Sequence, residues 1–189
     1  MGKIVLFYKS KCGATKRYAE YISTQLNCEM RDPSGATDEE INEYDTIIYD
    51  GGVYAGAIVG SSFLNNHEEV LKGKKLIVFA VGLTEYDEYN PSEKLFKTNI
   101  PKSLLDDAHT FNLFGALDLK KLKIMERFMI KSMINNLKNK ASYLKTPTDD
   151  LLIKNGKKGI DLVDFDLCSS LIECAKSNIS EESLSSDDE

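Results

Sequence analysis

Apolar and polar positions along this chain follow two rhythms. Residues 3–8 (KIVLFY), 46–49 (TIIY) and 76–81 (LIVFAV) are short, nearly unbroken apolar runs rich in β-branched and aromatic side chains. That is the pattern of strands buried on both faces of a parallel sheet. Residues 110–117 (TFNLFGAL) supply a last strand, and 28–31 a short, weak one. Between the runs the period lengthens to that of a helix. From Gly13 or Ala14 to Leu26, the side chains of Ala19, Ile22 and Leu26 share one face, with Lys16, Arg17 and Glu20 outside it. Pro33, Ser34 and Gly35 mark a turn, and further helices are expected at 38–42, from Ser61 or Ser62 to about Leu71, from Pro91 to about Lys97, and from Asp164 to about Lys176. Strands alternating with helices through right-handed crossovers predict an α/β fold with a doubly wound, five-stranded parallel sheet. Such sheets hold ligands outside the carboxyl ends of their strands.

Three loops, 9–15, 51–60 and 82–90, follow strands and therefore share that edge. In the first, Ser10, Gly13 and Thr15 lie between a strand and a helix, where loop amides and the first helical N–H groups point outward and suit a phosphate. The loop has neither the Gly-Lys-Ser/Thr of a Walker loop nor a GxGxxG pattern. The second carries glycines at 51, 52, 56 and 60, which let a backbone approach a flat ligand or take positive φ. It reads as a binding loop.

Composition adds limits. A chain of 189 residues with 42% apolar and 29% charged side chains forms one domain, taken as 1–177, with an acidic, Ser-rich tail at 178–189 expected to be mobile. Four cysteines without CxxC spacing and only two histidines argue against zinc and for free thiols in a reducing cytoplasm. Cys12 reads as a small loop filler. No apolar run reaches the length of a membrane span or a signal peptide. The net charge of −6 argues against nucleic acid, yet residues 119–145 hold eight Lys or Arg against one Glu, so this segment is +7 and the remainder −13. Within it Leu122, Met125, Met129, Met133 and Leu137 recur at helical spacing, widened by Ile124, Phe128, Ile130 and Ile134. This is a basic amphipathic helix, whole or broken in two, inserted before the last helix and followed by a connector at 144–162. No acid–base pair stands out, and His67 and His109 read as surface or capping residues, so no catalytic residue is assigned.

The order Leu6-Phe7-Tyr8, Ser10, Gly13, Thr15, Ala19, Ile22 resembles the flavodoxin FMN-binding signature at every defined position. The resemblance implies FMN as cofactor, its phosphate taken by Ser10, Lys11, Cys12, Gly13, Ala14 and Thr15. It also implies that Gly52, Val53, Tyr54, Ala55 and Gly56 bracket the flavin ring together with Gly82, Leu83, Thr84, Glu85 and Tyr86. Backbone groups of Gly52, Val53, Ala55 and Gly56 would face the ring's N5 and O4, and Glu85, Asp87 and Glu88 would oppose negative charge on reduced flavin.

The run GALDLKKLKIMERFMIKSMI is similar to a segment of the bacterial flavodoxin-like protoporphyrinogen oxidases, or dehydrogenases. That narrower resemblance implies oxidation of protoporphyrinogen IX, with a quinone or another acceptor taking the electrons. It departs from the pattern in three places: a Trp common before the final helix of such relatives has no counterpart in DLVDFDLCSS, where Phe165 is nearest, the 144–162 connector is loosely matched, and the acidic tail lies outside the resemblance. A basic insert would attract anionic lipid head groups, giving peripheral contact with the inner face of a membrane, or a substrate bearing propionates. An electron-carrier flavodoxin without its own substrate is the competing class, and a flavin-free interaction module the third. A carrier is expected to keep an acidic docking face, so the +7 insert favours the enzyme.

Overall fold

A computed structural model of the chain describes residues 2–11, 13–84, 92–156 and 158–177. Its central sheet is built from β1 (Ile4–Lys9), β2 (Glu29–Arg31), β3 (Thr46–Tyr54), β5 (Lys75–Gly82) and β6 (His109–Phe114), all parallel, in the order β2-β1-β3-β5-β6. The register aligns Leu6 with Ile48 and Ile48 with Ile77. Because side chains alternate across a strand, each apolar run feeds two cores. Val5, Phe7, Ile47, Tyr49, Val78 and Ala80 pack beneath α2 (Asp38–Asn42), α3 (Ser62–Asn66), α4 (Glu68–Leu71), α5 (Glu93–Asn99) and α6 (Lys102–Leu105). Leu6, Ile48, Ile77, Phe79 and Val81 pack beneath α1 (Ala14–Leu26) and α9 (Ser169–Lys176). This is the α/β doubly wound arrangement expected, and its strand order reverses between β1 and β3, above the first loop.

Several elements differ from expectation. The segment 51–60 is not an open loop. Strand β3 continues to Tyr54 and turns back into the antiparallel β4 (Ala57–Ile58), with Val53 opposite Ile58 and Tyr54 opposite Ala57. Ala55 and Gly56 form the turn with φ of 51° and 79°, the doubly left-handed backbone whose twist matches a hairpin. The helix expected at 61–71 breaks at His67 into α3 and α4, and the His67 Nδ1 sits 2.5 Å from Asp38 Oδ1. The last strand breaks at Gly115 into β6 and β7 (Ala116–Leu117).

The insert contains α7 (Ile124–Asn139), one 3-10 turn (Ser142–Leu144) and α8 (Pro147–Asn155). The last of these occupies what reads in sequence as a connector. Thr146 Oγ1 accepts from the Asp149 amide at 3.2 Å and Pro147 takes the first helical position, so both helix-start signals are present. The chain returns through β8 (Ile160–Asp161), antiparallel to β7 with Leu117 opposite Ile160. Gly159, at φ 99°, allows this return, since a Cβ there would lie 2.9 Å from the Leu117 carbonyl oxygen. Asp164 Oδ1 accepts from the Asp166 amide at 3.0 Å and starts the 3-10 turn Phe165–Cys168 that leads into α9. Cys12, Glu85, Tyr86, Asp87, Glu88, Pro91 and the 178–189 tail lie outside the described residues.

Candidate functional site

The first loop is built by one glycine and one serine. Gly13 takes φ 97° immediately before α1, its amide donates to Ser10 Oγ at 3.2 Å, and its carbonyl accepts from the Arg17 amide at 3.1 Å. No side chain caps the helix and its first turn carries no acid. The leading N–H groups of a 13-residue helix therefore face the sheet edge with their partial positive charge uncompensated by a carboxylate. Two ammonium groups converge there. Lys11 Nζ lies 4.7 Å over the Tyr54 ring and 3.3 Å from Glu126 Oε1, which ties the loop to the hairpin and to α7. Lys121 Nζ approaches within 3.5 Å of where a Cβ on Gly13 would stand. The Lys123 amide donates to Glu126 Oε2 at 2.8 Å, and this bond, with help from Lys11, holds the Glu126 carboxyl below its usual range.

Glycines at the carboxyl ends of three neighbouring strands, β3, β5 and β6, keep the edge open. A Cβ on Gly52 would come 3.3 Å from Thr15 Oγ1 and 3.5 Å from the Tyr54 ring. On Gly82 it would meet Val53 at 3.3 Å, and on Gly115 it would meet Val81 at 3.2 Å and the Gly82 carbonyl at 3.3 Å. The Gly115 amide donates to that same carbonyl at 2.7 Å, so the ends of β5 and β6 are fastened together. A cavity of about 520 Å³ results, within the size range of small-molecule sites. Its floor comprises Lys11, Ala14, Thr15, Gly52, Val53, Tyr54, Ala55, Gly56, Gly82, Leu83 and Thr84, with Val81, Gly115, Ala116 and Leu117 beside them. Ser10 and Gly13 shape the loop next to it without lining it.

The roof is α7. Met129, Ile130, Met133 and Leu137 face the cavity together with Ser132, Asn136 and Glu126. The basic helix thus covers the edge that carries the first loop, the 51–60 hairpin and the start of the third loop at Gly82, Leu83 and Thr84. On its other side Ile134 is buried, lying 2.6 Å from where a Cβ on Gly156 would be.

Two further residues carried no sequence signal. Asn99, on α5, clamps the hairpin: its Oδ1 accepts from the Ile58 amide at 2.8 Å and its Nδ2 donates to the Gly56 carbonyl at 3.0 Å. The Gly52 carbonyl is likewise engaged, accepting from the Val59 amide at 2.9 Å. Asp50 sits two residues before Gly52 on the face toward α1 and α9. It is fully buried, and neither carboxyl oxygen has a hydrogen-bond partner. Burial therefore pushes its pKa well above the ordinary carboxyl range. Cys168 is buried nearby, its thiol pushed up to about 12 by burial first and by Asp50 second. Among the described residues no group of three or more His, Cys, Asp or Glu is placed to hold a metal ion, and no helix is long and apolar enough to cross a membrane.

Comparison with known proteins gives the family. A family model described as flavodoxin domain matches residues 5–143, a span that includes α7. No curated protein shows significant similarity to the chain. Among solved structures, the chain is similar to the two-electron reduced flavodoxin of Megasphaera elsdenii at 16% identity, over 59% of this chain and 84% of that one, with a TM-score of 0.46. It is also similar to oxidised flavodoxin 2 of Bacillus cereus at 22% identity, over 68% and 95%, with a TM-score of 0.42. An NADH:FMN oxidoreductase in its apo form matches at 14% identity, over 60% and 75%, with a TM-score of 0.45. With the family model covering well over half of its length, the chain belongs to the flavodoxin-domain family, whose cofactor is FMN.

Proposed function

We propose that this chain is an FMN-dependent oxidoreductase, protoporphyrinogen dehydrogenase-like, whose flavin is reoxidised by a quinone or another acceptor. The observation that carries this reading is the roof: α7 closes the strand-end cleft with an apolar wall of Met129, Ile130, Met133 and Leu137. An electron carrier has no need of such a wall. An enzyme with an organic substrate uses it to hold that substrate and exclude water.

The residues present fit FMN. The uncapped start of α1, the Ser10 hydroxyl and the Lys11 and Lys121 ammonium groups suit a phosphate. Gly52, Gly82 and Gly115 leave a cradle that side chains would fill, and Tyr54 borders it. When bound, FMN supplies the hydride and one-electron chemistry, and the protein binds, orients and shields. Lysines beside the cavity are consistent with a substrate carrying carboxylates, and the similarity of 115–134 to the protoporphyrinogen dehydrogenases supports that class. No acid–base pair is assigned to this chemistry.

The test has two stages. Purified protein is titrated with FMN and followed by quenching of flavin fluorescence; failure to quench removes the cofactor assignment. Loaded protein is then given protoporphyrinogen IX anaerobically with a quinone, and fluorescent protoporphyrin must appear above the spontaneous rate. FMN binding without that product transfers the assignment to the second reading, an electron carrier, which the family itself supports.

A further inference from the structure

The outer face of α7 is apolar where a solvated helix is normally polar. Ile124, Met125, Phe128 and Met129 are 74%, 75%, 67% and 48% exposed, and they cluster on its first two turns. Tyr143, in the following 3-10 turn, is 85% exposed. The remainder of that outer face, Asn135 and Asn139, is polar, so the apolar patch is confined to one end. Lys120, Lys121 and Lys123 precede it, and Arg127 and Lys131 flank it, all exposed.

We propose that this end of α7 docks on an anionic lipid surface. Its occupant is identified by charge and side-chain chemistry together. The segment is +7 while the rest of the chain is −13, so attraction to anionic head groups is local to the patch. Long lysines bordering Ile, Met and Phe can place their stems along the apolar boundary and their ammonium groups among phosphates, as interfacial helices do. A second copy of this chain is disfavoured, because two such faces would bring like charges together around the apolar contact. Met129 belongs to both the patch and the cavity lining, so docking places the mouth of the cavity against the head groups.

The experiment uses the full chain and vesicles of phosphatidylcholine with or without phosphatidylglycerol, read by co-sedimentation. Sedimentation does not depend on flavin content, so its failure is separable from failure of the oxidoreductase reading. Binding is expected to anionic vesicles at low salt, to be much weaker on neutral vesicles, and to weaken as salt shortens the screening length. Replacing Lys120, Lys123 and Lys131 together by Gln should reduce it by roughly fivefold per lysine, or about a hundredfold in all. The double variant Met125→Ser with Phe128→Ser should lose binding with its charge intact. Equal binding by that variant, equal binding to neutral vesicles, or no binding at low salt overturns the proposal. So does a dimer in analytical ultracentrifugation that the double variant abolishes, since the patch would then serve a second copy.

Discussion

Asp50 offers a measurement that isolates one group. Its carboxyl is fully buried on β3 without a partner, and burial favours the protonated form. Above the ordinary carboxyl range, the unfolded chain has released this proton while the folded chain still holds it. Folded stability is therefore fully present at acid pH and declines as pH rises toward the raised pKa. One proton sets the limiting slope, about 1.4 kcal/mol per pH unit. Asp50→Asn keeps the shape and removes the titration. Urea unfolding of flavin-free wild type and variant, followed by far-UV circular dichroism at pH 5, 6, 7 and 8, gives two stability curves. The stability of the wild type should fall relative to the variant as pH rises from 5, with a slope no steeper than that limit. Any fixed cost of burying an amide moves the variant's curve as a whole and leaves the difference in slope intact. Cys168 feels Asp50 only as a second cause, and its thiol, pushed up to about 12, stays protonated in the folded protein across this pH range. Parallel curves would show that Asp50 titrates alike in folded and unfolded chains, and would refute its dry burial.

The phosphate loop gives two further predictions. Lys121→Gln should weaken FMN binding about threefold to tenfold while leaving riboflavin, which lacks the phosphate, unchanged in paired fluorescence titrations. Gly13→Ala forces a Cβ onto a residue at φ 97° and should cost about 1–2 kcal/mol in urea unfolding, with FMN affinity falling as well. Tyr18, fully buried, donates to the Phe114 carbonyl at 2.8 Å and accepts from the Asp164 amide at 2.9 Å. Tyr18→Phe strands both groups and should cost about 1–3 kcal/mol; an unchanged urea midpoint would show that water replaces the hydroxyl.

The strands were legible because each is an unbroken apolar run, which a buried parallel sheet requires and few other settings tolerate. The phosphate loop was legible because its signal is local. The hairpin at 51–60 was not, since glycine marks a turn, a close approach and a binding loop alike; only Asn99, 41 residues beyond Ile58, shows that the segment is pinned. The roof was half legible. Helical periodicity located α7, but which face meets the cavity depends on where the chain returns, and that is set by β8. Helix α8 had a Thr-Pro-x-Asp start in plain view, outweighed by the glycines after it. Asp50 ends an apolar run, where a carboxylate ordinarily marks the exit of a strand to solvent; its burial comes from α1 and α9, which local sequence does not report.

The β7–β8 ladder has an architectural consequence. With Leu117 and Ile160 side by side, the excursion from 118 to 159 begins and ends at nearly the same point. It is a cassette: a two-residue hairpin turn in its place would reconnect the chain without disturbing the sheet. Because its ends are already held together, its length is nearly free to vary, each doubling adding only about 0.6 kcal/mol of closure entropy. The sheet edge can thus stay constant while the roof over it is exchanged, so that one domain plan serves both open and covered clefts.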